Sequence, residues 1–476
     1  MKSKLIILLL GILNMGSQAQ TSFIKHYGEF SGKGNSIIIN SNGHYIIAGT
    51  KTTTHADQFF TVELNNIGDT LWLKDYGTDS VEEASQVIQT IDGGLAIVGY
   101  TADYLPGYRS IYFVKTTNTG AASWVKKIDL HGNEIGNSIV QTSSGDYFLS
   151  GTSYLEGVNL YDVFLIKTDV NGDTLWTKKY GGSLNEESTS MKQTSDGGLI
   201  ISGYSQSFSF GSTDFYLVKT DSIGDTLWTR HYGGSLEEKS NSVRQTSDGG
   251  YIMTGYSQSF GVANENMYVV KTNSLGDTVW TNTYGKAGRY SRGRDIIQTV
   301  DGGYIVTGSI KTASSNGAYD LYVVKINALG NVQWDTEYKV EPSNTSYTSS
   351  EGRSILQTPD GGFAISGTWF SASTFELLFV KLNADGTVGI AELPNYSICN
   401  VFPNPFSTSA ILKCENFRNK NYTLTIFDQE GRNLRTSKYE SSDYIEIEKG
   451  NLSIGLYYFQ LRSDKEIRAT GKFIIQ

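Results

Sequence analysis

Apolar residues in this chain fall in short blocks or in strict alternation, with no run at the three-to-four spacing of an amphipathic helix. From Asn241 to Gly285 the order is NSVRQT, SDGG, YIMTGYS, a variable stretch, MYVVKT, NSLGD and TVWTNTYG. That predicts four strands, A to D. The Asp-Gly-Gly and Leu-Gly-Asp segments are short hairpin turns, because Asp, Asn and Gly accept the positive φ such turns need. Strands B and C are nearly continuous apolar runs, the pattern of a sheet covered on both faces.

The unit recurs. Its first turn is seen at Asn42-Gly43, Asp92-Gly93, Ser144-Gly145, Asp196-Gly197, Asp248-Gly249, Asp301-Gly302 and Asp360-Gly361, at spacings of 50 to 59 residues. A period near 50 belongs to blade repeats. Trp72, Trp124, Trp176, Trp228, Trp280 and Trp334 all fall on strand D, and Lys115, Lys167, Lys219, Lys271, Lys325 and Lys381 on strand C, with Glu63 in the first unit. Both series read as scaffold. The seventh unit has strands A to C but no fourth strand after Asp385-Gly386, while Ser22 to Gly28 aligns with strand D and puts Phe23 in the tryptophan position. The predicted fold is therefore all-β: a seven-bladed β-propeller of four-stranded blades, its last blade closed by the N-terminal strand, followed by a small β-sandwich.

The opening Met1-Lys2-Ser3-Lys4, the apolar run Leu5 to Leu13 and the small residues Ser17 and Ala19 form a secretory signal, with cleavage expected after Ala19. The expected organisation is a signal peptide over 1–19, a propeller over 20–385, a linker over 386–396 and a C-terminal domain over 397–476. No later segment is apolar enough to span a membrane as a helix. The formal charge is −9, and residues 397–476 hold 11 basic and 9 acidic side chains, so the acidity lies in the repeats. An acidic surface without a basic stripe disfavours nucleic acid, and nothing calls for self-association, so a monomer is expected. Thirty Tyr, 21 Phe and 52 Gly fit many strands and tight turns.

The repeat resembles kelch units in period and in ending strand B with glycine (Gly255, Gly308), without their double glycine. It also resembles quinoprotein propeller repeats from Thr220-Asp221 through Gly224 to Trp228, without their adjacent cysteines. In the C-terminal domain, Pro403-Asn404-Pro405-Phe406, Phe427-Asp428 with Gly431-Arg432, Gly455-Leu456-Tyr457 and Gly471-Lys472-Phe473-Ile474 occur in order. With these motifs the segment resembles the type A C-terminal sorting domain of the type IX secretion system of Bacteroidota. The resemblance implies an immunoglobulin-like sandwich read by the secretion machinery, export, removal of the domain, and surface attachment or release. Cys399 and Cys414, the two cysteines, depart from that pattern. An oxidising exterior permits a bridge between them, and sequence alone leaves bridged and free forms open.

Candidate chemistry is sparse. His26, His44, His55, His131 and His231 show no metal-ligand spacing, and no nucleophile elbow or phosphate loop is present. Neither a cofactor nor a metal is expected; Asp169 to Asp173 reads as a turn rather than a calcium loop. The Asp-Thr-Leu/Val segments at Thr70, Thr174, Thr226 and Thr278 resemble O-glycosylation sites of exported Bacteroidota proteins, while turn chemistry followed by a β-branched strand residue is the simpler account. Variable connections B–C and D–A share one rim, where Tyr104, Tyr108, Tyr154, Phe208, Phe210, Phe260, Trp369 and Phe370 lie near Glu82, Glu83, Glu186, Glu187, Glu237 and Glu238. Tyr104, Tyr108, Tyr154, Phe208, Phe260 and Trp369 are the expected ligand contacts. Exposed aromatics beside carboxylates suit a glycan or a protein ligand. The expectation is an exported binding propeller. A polysaccharide hydrolase or lyase using rim carboxylates and a structural or adhesive surface protein are the alternatives.

Overall fold

The computed structural model describes residues 22–388 and 399–476, apart from 54–55, 79, 103–107, 156–159, 314–316, 340–347, 372–373, 415–420, 429–432, 440–443 and 464–465. The signal peptide, Tyr104 and Gly431 lie outside the described residues. Two compact units divide at 389/390.

The first unit is a ring of seven antiparallel blades. Blade 4 is representative: strand A Glu186–Gln193, B Leu199–Ser205, C Asp214–Thr220 and D Thr226–Tyr232, paired in that order. Strands B and C are buried along their length, because each blade packs its faces on its neighbours. Between blades 3 and 4, for example, Phe148, Val163 and Leu165 meet Met191, Leu199, Ile201 and Tyr216 in one apolar layer.

The strand D tryptophans sit where blade meets blade. Trp72, Trp176 and Trp228 cover the C–D turn glycine of the next blade: a Cβ on Gly120, Gly224 or Gly276 would come within 2.6–2.8 Å of the ring. A tyrosine four residues on, as in Tyr180 and Tyr232, donates its hydroxyl to the carbonyl of that same glycine at 2.6 Å. The strand C lysines lie under the A–B turn of their own blade. Lys219 reaches Asp196 at 2.9 Å and Lys271 reaches Asp248 at 2.8 Å. Blade 1 inverts the polarity: Glu63 holds the lysine's place and meets His44 Nδ1 at 2.8 Å.

The N-terminal strand, Phe23–Ile39, serves two blades. Phe23 to Tyr27 pairs with Leu377 to Lys381 of blade 7, and Gly32 to Ile39 pairs with Tyr45 to Lys51 as strand A of blade 1. Phe23 occupies the tryptophan position as expected, its ring over Gly68, and Tyr27 donates to the Gly68 carbonyl at 2.6 Å.

Each inner strand A carries one bulge at the same place. Register skips Asn35, Ser85, Asn137, Thr189, Asn241, Arg294 and Arg353, one per blade. Opposite each bulge strand B has a glycine. A Cβ on Gly203 would lie 1.7 Å from the Glu187 carbonyl oxygen, and the same holds within 0.3 Å at Gly49, Gly99, Gly151, Gly255, Gly308 and Gly367. The glycine repeated in strand B is thus the space in which strand A bulges, and the bulge frees one side chain per blade from cross-strand pairing.

The second unit is a two-sheet sandwich. One sheet orders Cys399–Phe402, Ser409–Cys414 and Ile445–Glu448; the other orders Asn433–Tyr439, Tyr422–Phe427, Gly455–Ser463 and Glu466–Ile475. Alternate residues, including Leu424, Ile426, Phe459 and Phe473, fill its core. Cys399 and Cys414 stand directly opposite in register.

Candidate functional site at the channel mouth

All seven bulge residues line one cavity of about 480 Å³, which is therefore the central channel of the ring. Glu83, Glu187, Tyr100 and Arg109 line it as well, which sets its open end on the B–C and D–A side. Asn35, Asn137 and Asn241 each donate an amide N–H to a strand A carbonyl of the following blade, that of Ala84, Ser188 and Gly293 respectively. These amides stitch the blades together and present their remaining polar atoms to the channel.

Charged groups of both signs line the channel. Tyr100 and Tyr204 hydrogen-bond Glu83 and Glu187, and burial first, then those carboxylates, push both phenols up. The Arg109 guanidinium lies 4.6 Å from the Tyr100 ring centre. Arg294 Nε donates to Glu351 at 2.6 Å, and Arg353 stands 3.3 Å from the second oxygen of the same carboxylate while donating to Asn35 Oδ1 at 3.0 Å. Burial opposes the Glu351 charge, yet Arg294 and Arg353 hold its carboxyl below the ordinary range. A cavity of about 260 Å³ opens beside these groups, lined by Arg292, Tyr319, Thr368, Phe370 and Phe375 among others. Arg292 grips Glu265 through two bonds of 2.6 and 2.9 Å.

The expected contacts fare differently. Phe208 and Phe260 are about two-fifths exposed and lean on Tyr216 and Tyr268 of strand C, outside the channel wall. Tyr108 is exposed, and Tyr154 is half-buried against Tyr161. Trp369 is a correction: it is 5% exposed, packed in the core beside Leu378 with its ring 4.5 Å from that of His26. Its strand position, two after the strand B glycine, is buried in blades 2 to 6 too, while blade 1 has the partly exposed Lys51 there. There Thr101, Ser153, Ser205 and Ser257 donate hydroxyls to Glu82, Glu134, Glu186 and Glu238.

Of the expected rim carboxylates, Glu82, Glu186 and Glu238 are the second correction. Glu82, Glu134, Glu186 and Glu238 are fully buried, and Glu186 and Glu238 also accept backbone N–H groups of Gly182 and Gly234. They hold the D–A connections, whereas their neighbours Glu83 and Glu187 face the channel. Sequence reading missed Arg292, Arg294 and Arg353. The signal was present: the position seven residues before each turn reads Asn, Ser, Asn, Thr, Asn, Arg, Arg. Among the described residues no cluster of His, Cys, Asp and Glu is arranged to hold a metal ion.

In the second unit, the opening and closing motifs meet. Asn404 Oδ1 accepts the Ile474 N–H at 2.8 Å, Phe406 donates to the Ile474 carbonyl at 3.0 Å, and Gln476 donates to the Phe406 carbonyl at 2.9 Å. Pro403 and Pro405 flank Asn404 with cis peptide bonds. Phe406 is buried and stacks on Phe473, which in turn stacks on Tyr457 at 5.7 Å. Gly471 leaves room for the Phe459 ring, 2.6 Å from where its Cβ would be, and Lys472 is exposed. Residues 400–476 match the family described as secretion system C-terminal sorting domain. This segment is a type IX sorting domain. The sorting domain interacts with the secretion machinery and directs the chain to the cell surface or the medium. No helix among the described residues is long and apolar enough to cross a membrane.

A regulatory protein of Caulobacter vibrioides, FlaEY, is 28% identical over 111 residues, 21% of this chain and 12% of that protein; the chain thus spans about an eighth of that relative. Among solved structures, the WD40 domain of Neurospora crassa Pan2 is 11% identical with a TM-score of 0.45, covering 74% of this chain and 90% of that one. A catalytically inactive virginiamycin B lyase from Staphylococcus aureus is 11% identical with a TM-score of 0.44, covering 75% and 99%.

Proposed function

We propose that the propeller is an extracellular binding module whose ligand, a glycan, enters the central channel from the B–C and D–A side. The observation that carries this reading is the bulge ring. Seven equivalent positions share one backbone geometry and one cavity yet carry unlike side chains, three asparagines, a serine, a threonine and two arginines. A position serving only the scaffold stays constant from blade to blade, as the strand D tryptophan does. Amides, hydroxyls and aromatic rings around a concave polar site are the groups that recognise sugars. Export through the sorting domain brings the site to where such ligands are found. The fully buried glutamates are held by hydroxyl and backbone donors, which favours binding over hydrolysis by those groups.

The test is a glycan array probed with the full chain, followed by titration of the best hit against variants. Asn137→Ala and Arg109→Ala lower affinity, while Phe208→Ser and Phe260→Ser, outside the channel wall, leave it unchanged. The reverse pattern, or the absence of any glycan hit, sinks the reading.

A further inference from the structure

The inner strands are not alike around the ring. At the bulge, blades 1 to 5 carry uncharged side chains and blades 6 and 7 carry Arg294 and Arg353. Three residues further along the same strands, blades 1, 2, 3, 6 and 7 carry Ile38, Ile88, Val140, Ile297 and Leu356, whereas blades 4 and 5 carry Lys192 and Arg244. Four cations are thus set at these two positions of the inner strands, in a protein whose repeats are acidic. Arg244 donates to Asp295 at 2.9 Å, and Glu351 is shared by Arg294 and Arg353. Two donor groups are left over. Arg353 Nε is buried with no acceptor among the described residues. Lys192 has no hydrogen bond or ion pair among them, and burial, then Arg244, press its ammonium down to about 7 against the pull of Asp295.

Unanswered donors and tyrosine-bound carboxylates together define the occupant. A buried donor without an acceptor is unfavourable, so Arg353 Nε gains when an oxyanion arrives. Arginine's planar fork fits an oxyanion through paired bonds, and a carboxylate suits it well. Glu83 and Glu187, in the same channel, accept hydroxyl donors, as they already do from Tyr100 and Tyr204. A ligand carrying one carboxylate and several hydroxyls on a ring satisfies both sets of groups. We infer that the channel takes a uronic acid residue of an acidic glycan, its carboxylate toward Arg294, Arg353 and Lys192 and its hydroxyls toward Glu83, Glu187 and the channel asparagines. This rests on the binding reading above and specifies the sugar.

Calorimetric titration of the full chain with a galacturonate trimer tests it, beside the uncharged methyl ester of the same trimer, a glutamate-rich peptide and inorganic sulfate. The expected result is that the acid trimer binds at least ~10-fold more tightly than its ester, with an affinity that falls as salt rises. Lys192→Met, which removes no hydrogen bond, and Arg353→Gln each weaken the acid trimer by ~10-fold or more without affecting the ester. Because Arg353 also clips blade 7 to blade 1, its variant is accompanied by a melting curve, and the Lys192 variant carries the test if that curve moves. Ester and acid binding equally, or variants binding the acid as the parent does, overturns the uronate site while leaving a glycan propeller standing. Preference for the peptide overturns the glycan assignment, and saturable binding of sulfate without either trimer overturns the sugar and the binding reading together.

Discussion

Removing the Phe23 ring tests how the circle is closed. Phe23 is 6% exposed, meets Phe379 edge-on at 5.3 Å and lies over Gly68, whose Cβ position is 2.7 Å from the ring. It joins blade 7, through Phe379, to the C–D turn of blade 1. Phe23→Ala takes away the apolar contact and leaves a cavity between two rigid sheets, a loss of about 3–5 kcal/mol. With an unfolding entropy of about 2 cal/mol/K per residue over a propeller of this size, that lowers Tm by about 5 °C. Lys25→Ala on the same strand is the control. Lys25 pairs with the exposed Asp69 at 3.0 Å, and such a pair contributes about 0–1 kcal/mol. Phe23→Trp restores the side chain that six other blades use and stays near the parent. Thermal unfolding of the full chain, followed by tryptophan fluorescence and circular dichroism, reads all three. Phe23→Ala melting with the parent, or Lys25→Ala doing equal harm, refutes the reasoning.

Other changes probe the repeat and the sandwich. Gly203→Ala drives a Cβ into the Glu187 carbonyl and costs about 1–3 kcal/mol or more, whereas Gly197→Ala, where nothing lies within 4 Å and only φ is unfavourable, costs about 1–2 kcal/mol; chemical denaturation separates them, and Gly197→Ala proving the worse would contradict the bulge account. Burial works against the turn carboxylates Asp92, Asp196, Asp248 and Asp301, but hydroxyl and lysine donors hold each down to about 2. Since those values lie below the unfolded one of about 3.9, the stabilisation is full above pH 4 and is lost as pH falls from 4 toward 2; Lys219→Met and Lys271→Met flatten that acid-side slope in melts taken across the window, and an unchanged slope would contradict it. Cys399 and Cys414 are proposed to form a cross-strand disulfide, so thiol titration of the unfolded, unreduced chain finds none free, and two free thiols would remove the bridge.

The architecture was legible because the repeats act as their own alignment. Seven turns, six tryptophans and one phenylalanine at the start in the seventh tryptophan position are enough to close the ring, and Phe23 lies where that alignment puts it. The sorting domain was legible from short motifs that the fold brings together at Asn404, Phe406 and Ile474. The channel was harder. A bulge breaks the alternation of strand A by one residue, so a two-residue period assigns Arg294 and Arg353 to a sheet face when they line the channel. Consecutive glutamates misled in the same way: successive side chains point to opposite faces, so Glu186 is buried under a loop while Glu187 lines the channel. Trp369 looked like a loop aromatic because blade 7 extends strand B to Ser371, past the end reached in blades 4 and 5. Its counterparts Ser205 and Ser257 are paired with a buried glutamate; in blade 7 the glutamate is replaced by Ser350, and the slot is apolar enough for an indole.

Closure of the ring, on which the channel depends, is most directly read by native-state amide hydrogen exchange. The amides of Ile24 to Tyr27 should open only with those of Leu377 to Lys381, at the free energy of global unfolding. Exchange of Ile24 to Tyr27 at the rate of a frayed terminus, while the rest of blade 7 stays protected, would show that the N-terminal strand does not close the propeller.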